Sequence, residues 1–381
     1  MAHEQRVNGT LIVGAGPAGL ALGACLRRRD QPFTILEAGD APGASWRNHY
    51  ERLHLHTVKQ HSALPHLPFP EHVGQYPSRQ DVVEYLDAYS RHFELNPRCG
   101  EEVQSIRRDG DSWHTTTSGG SYISGQVVIA AGYNRHPYIP PFAGIEDFGG
   151  DVVHSREYRN GVNYRDKRVL VVGFGNTGGE IAIDLHEHGA ASIAVCVRTP
   201  VHVIPREFLG TPTQISGIML SKLPTFLSDF ISSTVARIAV GDLSQYGIHR
   251  PKISPAAQIN RYGRVPLIDI GTIDLVKRGI VRIVPGINAF TGAGASFVDG
   301  TTLEFDSVIL ATGYRPALDE FLEDAAAVTD PHGFPIPRAG ASALAGLYFL
   351  GYTNPSTGLL RQIAIDAQRV ANEIAAVPVA R

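Results

Sequence analysis

The sequence predicts an α/β fold with two doubly wound, Rossmann-like units, because one pattern of strand, glycine turn and helix occurs twice. The first copy is TLIVGAGPAG at 10–19, and the second is RVLVVGFGNTGGE at 168–180. Each copy is followed by short alternating strands and then by a strand that ends in small residues, VVIAAGY at 127–133 and SVILATGY at 307–314. The repeat therefore predicts two dinucleotide-binding domains with β-meander insertions.

In the first copy the three glycines have different roles. Gly14 allows the tight turn, Gly16 lets the backbone approach a pyrophosphate, and Gly19 lets the new helix pack against the strand. The next strand, Phe33 to Leu36, delivers Glu37 at about the spacing where an acid reaches a ribose hydroxyl. An acid suits a free 2′-OH, so we expect FAD in this unit.

The second copy differs at the adenosine end. Its turn residues are Gly173, Gly175, Asn176 and Gly178. The following strand, Ser192 to Val197, ends in Arg198 and Thr199 with no acid at that position. Arginine suits a 2′-phosphate, so we expect NADPH here. The alternative, that Arg198 only solvates a strand end, stays open.

The remaining pattern fits the same plan. Apolar spacing predicts a helix over 80–93, meander strands over 100–117 and 121–130, and a second strand pair at 295–298 and 302–305. A strand at 347–350 and a helix from about 357 are expected to complete the first domain. We predict an FAD domain of residues 1–160 and 315–381, with an NADPH domain of 161–314 nested within it. The latter carries a helical, substrate-side insertion at about 204–270, for which simple core packing is the competing interpretation.

Composition excludes several classes of protein. The 381 residues carry a net charge of −3 with scattered signs, which gives no basic face for nucleic acid. The three cysteines, Cys25, Cys99 and Cys196, form no Cys-x-x-Cys pair, which argues against a thiol-disulfide reductase. The N-terminus has no apolar signal segment, and charges or prolines interrupt the apolar stretch at 215–240. We expect a cytoplasmic enzyme with no membrane span; its oligomeric state is open, and a homodimer is compatible with the sequence.

A cluster of histidines in the first third of the chain invites a metal interpretation. The residues are His49, His54, His56, His61 and His66. They lack the spacing and the accompanying carboxylate of a metal site, so no metal is expected.

Family-specific motifs lie in the linker and beyond. Phe148-x-Gly150-x₃-His154-x₃-Tyr158 matches the signature of flavin-containing monooxygenases. Within that class the chain resembles the YUCCA-type enzymes from near residue 10 to about 365, in stretches such as SWRNHYERLHLHTVKQ (45–60), VHVIPREFLG (201–210) and VPLIDIGT (265–272). The resemblance implies that a small-molecule substrate, indole-3-pyruvate, is oxidised to indole-3-acetate, a step of auxin biosynthesis, with FAD, NADPH and O₂.

The resemblance also places individual residues. It implies that Trp46 and Gly132 contact FAD and that His56 and Asn134 lie near the flavin. Tyr133 stands where the family usually has an acid, which leaves its role open. His154 and Tyr158 are expected either to hold the nicotinamide side or, as we favour, to form a structural hinge.

The chemistry of such enzymes resides mainly in the flavin, so no catalytic side chain is assigned. We expect a C4a-(hydro)peroxyflavin in a dry pocket and a cation for the carboxylate of a 2-oxo acid, either Arg250 or Arg264. The main alternative is an N- or S-oxygenase of small nucleophiles. A pyridine-nucleotide reductase and a flavin-binding regulatory module are weaker alternatives, because the cysteine pair is missing and both glycine motifs are intact.

Overall fold

In the computed structural model, which describes residues 4–262 and 265–377, the chain divides into two compact units. Unit 1 comprises Met1–Asn48, Thr57–His136 and Tyr314–Arg381, and unit 2 comprises His49–His56 and Pro137–Gly313. Each unit contains one glycine turn. The cofactor-domain limits drawn from the sequence stay a prediction; the contacts place 137–160 with the second turn.

The strands, in chain order, are β1 (Glu4–Arg6), β2 (Thr10–Val13), β3 (Phe33–Glu37), β4 (Arg98–Cys99), β5 (Val103–Asp109), β6 (Ser112–Thr117), β7 (Ser121–Ser124), β8 (Gln126–Ile129), β9 (His136–Pro137), β10 (Asp151–His154), β11 (Arg168–Val172), β12 (Ser192–Cys196), β13 (Val203–Pro205), β14 (Glu207–Phe208), β15 (Thr211–Pro212), β16 (Leu267–Asp269), β17 (Val281–Val284), β18 (Ile287–Thr291), β19 (Gly294–Phe297), β20 (Thr302–Glu304), β21 (Ser307–Leu310), β22 (Tyr314–Arg315), β23 (Gly340–Ala341) and β24 (Leu347–Phe349). The α-helices are α1 (Pro17–Arg27), α2 (Ala44–Arg47), α3 (Arg79–His92), α4 (Asn176–Glu187), α5 (Thr213–Leu220), α6 (Thr225–Val240), α7 (Pro255–Tyr262), α8 (Thr272–Lys277), α9 (Ala325–Val328) and α10 (Leu359–Ala375).

Unit 1 is built on a six-stranded sheet in the order β23-β24-β8-β2-β3-β4. Its central strands β24, β8, β2 and β3 run parallel, and β8 and β2 are buried along their whole length. Burial on both faces explains why these strands are continuous apolar runs. The C-terminal helix α10 packs against α1, so the end of the chain completes the unit that its beginning starts.

The predicted first meander is the antiparallel set β5-β6-β7, which β1 extends by pairing in parallel with β7. Strand β8 follows β7 directly but leaves this set and joins the parallel sheet. Ser78 caps the N-terminus of helix α3: its hydroxyl accepts the Asp81 N–H while the Asp81 carboxylate accepts the Ser78 N–H. This reciprocal cap fixes the predicted helix start.

Unit 2 has a fully parallel five-stranded sheet in the order β10-β21-β11-β12-β17. In register, Val172 at the end of β11 lies beside Cys196 of β12 and Leu310 of β21, so the carboxyl ends of these strands share one edge. The second meander, β18-β19-β20, is antiparallel as predicted. The repeat seen in the sequence is therefore a repeat of sheet architecture.

The insertion between β12 and β17 contains α5, α6 and α7, which lie within the range where amphipathic helices are predicted. Helix α6 buries Ala236 and Val240 while Phe230 and Ile238 are exposed. Within the described ranges, no helix has both the length and the apolar character needed to cross a membrane.

Candidate cofactor sites

The first glycine turn has the geometry that a pyrophosphate needs. Gly14 has a φ of +104°, and a Cβ placed on it would lie 2.7 Å from the Ala130 carbonyl oxygen. A Cβ on Gly19 would lie 1.8 Å from the Gly14 carbonyl oxygen, so only glycine lets α1 approach β2 here. At Gly16, by contrast, nothing lies within 4 Å of such a Cβ. The space beside Gly16 is open at the N-terminus of α1, where a phosphate is stabilised.

Glu37 lies at the carboxyl end of β3, as predicted, and is 9% exposed. Its Oε2 accepts the Ala15 N–H at 2.7 Å, and its Oε1 accepts the Gly39 N–H at 2.9 Å. The carboxylate thus braces the glycine turn. Each oxygen has a second lone pair, which could accept a ribose hydroxyl.

Three other residues, Trp46, Gly132 and Asn134, are predicted to contact FAD or to lie near the flavin. Trp46 is half-buried in the short helix α2. Gly132 has a φ of +75° and open space at its Cβ position, and Asn134 is exposed two residues later. Tyr133 lies between them with its ring 6.2 Å from that of Phe334, and burial raises the pKa of Tyr133 to about 12. Tyr133 therefore stays protonated at neutral pH.

The second glycine turn reproduces the first. Gly173 has a φ of +114°, and its Cβ position lies 2.4 Å from the Ala311 carbonyl oxygen. A Cβ on Gly178 would lie 2.0 Å from the Gly173 carbonyl oxygen, while the Cβ position of Gly175 is open to 4 Å. This turn fits a second pyrophosphate by the same steric test.

Asn176 makes a hydrogen bond that the sequence did not predict. Its Oδ1 accepts the N–H of Ile268, in β16, at 2.7 Å. The side chain thereby ties the start of α4 to the insertion. Its oxygen is engaged within the chain, and its amide nitrogen remains as a donor.

Arg198 and Thr199 follow the end of β12 after one intervening residue, Val197, and are exposed. The Arg198 side chain lies beside Gly286, just beyond β17. Among the described residues, Arg198 makes no ion pair with a carboxylate. Its guanidinium is free to meet an anion at the predicted 2′-phosphate position.

The linker residues His154 and Tyr158 are buried and hydrogen-bonded within unit 2. His154 Nδ1 accepts the Arg156 N–H at 3.1 Å, so the ring carries its proton on Nε2, 3.1 Å from the Gly313 carbonyl oxygen. Burial lowers the pKa of His154, which favours this neutral form. The Tyr158 hydroxyl donates to Asp184 Oδ2 at 2.5 Å, and burial together with that carboxylate raises the pKa of Tyr158. These contacts give both residues structural partners within unit 2, and the choice between hinge and nicotinamide contact stays a prediction.

His56 reaches a residue that sequence reasoning missed. Its Nε2 lies 2.9 Å from Oε1 of Glu180, which is 2% exposed in the middle of α4. The available signal was an acid in the apolar stretch EIAIDL at 180–185, although its partner lies far away along the chain.

Arg250 lines a cleft of about 380 Å³ beside the C-terminal end of α6. The apolar lining is Val201, Val203, Val240, Leu243 and Ile248, and the polar lining is Arg237, Gly241, Asp242 and Arg250. The cleft thus has two exposed arginines and one carboxylate in its lining, and Ser244 holds that carboxylate through its N–H and hydroxyl, each at 2.9 Å. Those hydrogen bonds, with smaller contributions from Arg250 and His249, lower the pKa of Asp242. The second predicted substrate cation, Arg264, lies outside the described residues.

Neither a metal site nor a disulfide is found in the part of the chain that the structure describes. No group of three or more His, Cys, Asp or Glu side chains there is placed to hold a metal ion. Cys25, Cys99 and Cys196 are all free thiols. Burial raises the pKa of both Cys25 and Cys196 to about 11, which leaves these thiols unreactive at neutral pH.

The sequence is similar to one family model and to several known proteins. The family model described as "Pyridine nucleotide-disulphide oxidoreductase" matches residues 11–207. Probable indole-3-pyruvate monooxygenase YUCCA7 of Arabidopsis thaliana is 42% identical over 97% of this chain and 88% of its own length. Indole-3-pyruvate monooxygenase YUCCA1 of Oryza sativa subsp. japonica is 40% identical over 98% of this chain and 93% of its own.

Solved structures support the fold. A flavin-containing monooxygenase from Stenotrophomonas maltophilia aligns with a TM-score of 0.74 at 22% identity, covering 98% of this chain and 99% of that one. An oxidised steroid monooxygenase bound to NADP aligns with a TM-score of 0.74 at 18% identity, covering 97% and 85%. At these identities the alignments establish the fold alone.

Proposed function

The chain belongs to the YUCCA-type family of flavin monooxygenases, and we propose that it converts indole-3-pyruvate, or a similar 2-oxo acid, to indole-3-acetate with NADPH and O₂. As a flavin monooxygenase it is an oxidoreductase, consistent with a cofactor set of flavin and NADP(H). The observation that carries the substrate proposal is the identity of 37–42% to indole-3-pyruvate monooxygenases, which extends over at least 97% of this chain.

The two glycine turns divide the cofactors between the units. We propose FAD at Gly16 with Glu37 on its ribose, and NADPH at Gly175 with Arg198 and Thr199 on its 2′-phosphate. In this arrangement the NADPH domain, 161–314, is nested within the FAD domain, 1–160 and 315–381. The steric openings at Gly16 and Gly175, with backbone contact at their neighbouring glycines, support both placements.

When bound, the flavin would supply the O₂ chemistry, through a C4a-(hydro)peroxyflavin. The balanced reaction consumes one 2-oxo acid, NADPH, O₂ and a proton, and yields the shortened carboxylate, CO₂, NADP⁺ and water. The chain has to bind and orient both dinucleotides and exclude water, and the hydrogen-bonded linker at His154 and Tyr158 would hold the nucleotide domain rigid.

Arg250 is the proposed partner of the substrate carboxylate. Its cleft combines an apolar lining, suited to an indole ring, with two guanidiniums against the one carboxylate of Asp242, which leaves a net positive charge for a carboxylate ligand. One competing placement has to be tested. The Val201 N–H donates to the His249 carbonyl oxygen at 2.9 Å, which brings Arg250 near the segment that follows Arg198 and hence near the predicted 2′-phosphate.

The activity test starts from enzyme reduced anaerobically with NADPH and mixed with oxygenated buffer, with and without indole-3-pyruvate, while the flavin spectrum is followed. A flavin adduct should form before the oxidised spectrum returns, and indole-3-pyruvate should shorten its lifetime and yield indole-3-acetate with CO₂. An adduct that is discharged by an amine or a sulfide, but untouched by the 2-oxo acid, would instead identify an N- or S-oxygenase. Direct return of oxidised flavin without an adduct would indicate a reductase.

The residue test compares Arg250→Ala with Lys252→Ala, which removes an exposed cation two residues away. Arg250→Ala should raise KM for the 2-oxo acid about tenfold or more and leave anaerobic flavin reduction by NADPH unchanged, while Lys252→Ala changes neither. If Arg250→Ala raised only the KM for NADPH, Arg250 would instead be assigned to the adenosine end of the bound nucleotide.

A further inference from the structure

The cleft beside α6 has a carboxylate in its lining, Asp242, that the proposed function leaves without a role. Asp242 directly follows Gly241, the residue at which α6 ends. Its Oδ1 accepts the Ser244 N–H and its Oδ2 accepts the Ser244 hydroxyl, each at 2.9 Å. One residue thus holds both oxygens, so the negative charge has a fixed place in the polar part of the lining.

The positive part of the lining is also held in place. Arg250 Nη2 donates to the Gly241 carbonyl oxygen at 3.3 Å, and Lys277 Nζ donates to the Val240 carbonyl oxygen, also at 3.3 Å. These two cations offset the partial negative charge at the C-terminus of α6. Within the described residues Arg250 forms no ion pair with a carboxylate, so its remaining N–H groups can bind the carboxylate of a ligand.

The charges of the lining match a ligand with one negative charge. Arg237 and Arg250 contribute two positive charges and Asp242 contributes one negative charge, which gives a net charge of +1. The hydrogen bonds from Ser244 lower the pKa of Asp242, so this carboxylate keeps its charge at neutral pH. A ligand with one carboxylate neutralises the lining, whereas a second carboxylate meets Asp242 as a like charge.

The apolar part of the cleft gives a second carboxylate no better place. Four of its residues belong to the buried core of unit 2, namely Val203, Val240, Leu243 and Ile248. A carboxylate pressed against them would lose water without gaining a hydrogen-bond donor. A second negative charge on the ligand is therefore directed toward the polar part of the lining, where Asp242 lies.

We propose that Asp242 is a specificity-determining residue, which restricts this cleft to 2-oxo acids with a single carboxylate by repelling a second negative charge on the ligand. The inference rests on the proposed function, which places the substrate carboxylate at Arg250. It narrows the substrate class to 2-oxo acids with an apolar side chain. Dicarboxylic 2-oxo acids of the same size are excluded by charge.

The experiment compares two ligands that have the same shape and different charges. 2-Oxoglutarate carries a second carboxylate, and 5-methyl-2-oxohexanoate has an isopropyl group in its place. The Ki of each is measured at pH 7 against the turnover of indole-3-pyruvate by the FAD-loaded enzyme, and the readout is the ratio of the two constants. In the wild-type enzyme the Ki of 2-oxoglutarate should be about tenfold higher or more.

Asp242→Asn removes the charge and keeps an oxygen that can accept the Ser244 N–H. The variant should lower the ratio about two- to fivefold, a modest effect because the carboxylate is exposed. At about 1 M salt the ratios of variant and wild type should converge, since the screening length falls to about 3 Å.

Asp299→Asn is a matched control. Asp299 accepts the Thr301 N–H at 3.0 Å and the Thr301 hydroxyl at 2.7 Å, but it lies in the turn between β19 and β20, outside the cleft lining. The substitution changes the net charge by the same amount, so it should leave the ratio unchanged. Arg250→Ala should raise both constants, because it removes the partner of the carboxylate that the two ligands share.

The outcomes separate this inference from the proposed function. If folded Asp242→Asn keeps the wild-type ratio while Arg250→Ala raises both constants, the inference is overturned and the placement of the substrate stands. Equal constants for the two ligands in wild type, or an equal change of the ratio in Asp299→Asn, would also overturn it. If Arg250→Ala changes neither constant, the cleft is not the substrate site, and the proposed placement falls together with this inference.

Discussion

Replacing Tyr158 by phenylalanine tests whether the linker tyrosine serves structure or chemistry. Tyr158 is 1% exposed, and its hydroxyl donates to Asp184 Oδ2 at 2.5 Å. Asp184 is itself 4% exposed, and its other carboxylate oxygen lies 3.3 Å from His188 Nδ1. The substitution therefore removes one donor from a buried carboxylate without changing the ring packing.

The size of the effect follows from that geometry. A hydrogen bond to a charged group contributes about 1.5–3 kcal/mol, and a buried carboxylate oxygen left without its donor pays much of that amount as desolvation. We expect Tyr158→Phe to lower the free energy of unfolding by about 2–3 kcal/mol. For a domain of 150–250 residues this corresponds to a fall in Tm of about 4–12 °C.

The neighbouring Tyr164 provides a matched control. Its ring lies 5.5 Å from that of Tyr158, and its hydroxyl makes no hydrogen bond within the described residues. Tyr164→Phe should shift Tm by less than about 2 °C. Thermal unfolding of both variants, with KM for NADPH and the rate of flavin reduction at a temperature where all are folded, decides the question. Tyr158→Phe with wild-type Tm but slowed flavin reduction would refute the structural role.

Three further predictions address the cofactor sites and the sheet of unit 2. Gly16→Val should leave the fold intact by circular dichroism but abolish FAD binding, whereas Gly19→Ala should prevent correct folding because its Cβ would clash with the Gly14 carbonyl oxygen. Full flavin occupancy in folded Gly16→Val would reject the FAD placement. Arg198→Ala should raise KM for NADPH about tenfold to a hundredfold and spare NADH, and equal effects on both cofactors would remove Arg198 from the site. Asp306→Asn tests a pH effect: hydrogen bonds from Arg168 lower the pKa of Asp306 from 3.8 to about 2, so its stabilisation is present above about pH 4 and is lost as pH falls toward 2. Unfolding should show a destabilised variant at pH 7 that matches wild type near pH 2, and a gap that persists in acid would contradict this origin.

The sequence predicted those parts of the molecule whose signal is local. Strands β2 and β11 are continuous apolar runs that end in glycine turns, and Glu37 stands at a fixed spacing, so all three lie where they were expected. The partnership of His56 and Glu180 has no local signal, since it joins positions far apart in the chain. The contact forms because the eight residues 49–56 belong to unit 2 although the chain on either side of them belongs to unit 1. No periodicity in the sequence indicates this change of unit.

The two glycine turns also show why equal motifs are not interchangeable sites. In the first, Glu37 accepts the Ala15 N–H, so one carboxylate both braces the turn and faces the predicted ribose. In the second, Phe174 takes the place of Ala15 between the glycines and is buried in the unit 2 core, while the start of α4 is braced by Asn176 through Ile268. Replacing Arg198 by an acidic residue would remove the predicted partner of the 2′-phosphate. It would not recreate the hydrogen bond that Glu37 makes to the first turn, because the contact of Asn176 with Ile268 already supports the start of α4. We therefore expect cofactor preference in the second site to depend on the end of β12 alone, independently of what holds its glycines in place.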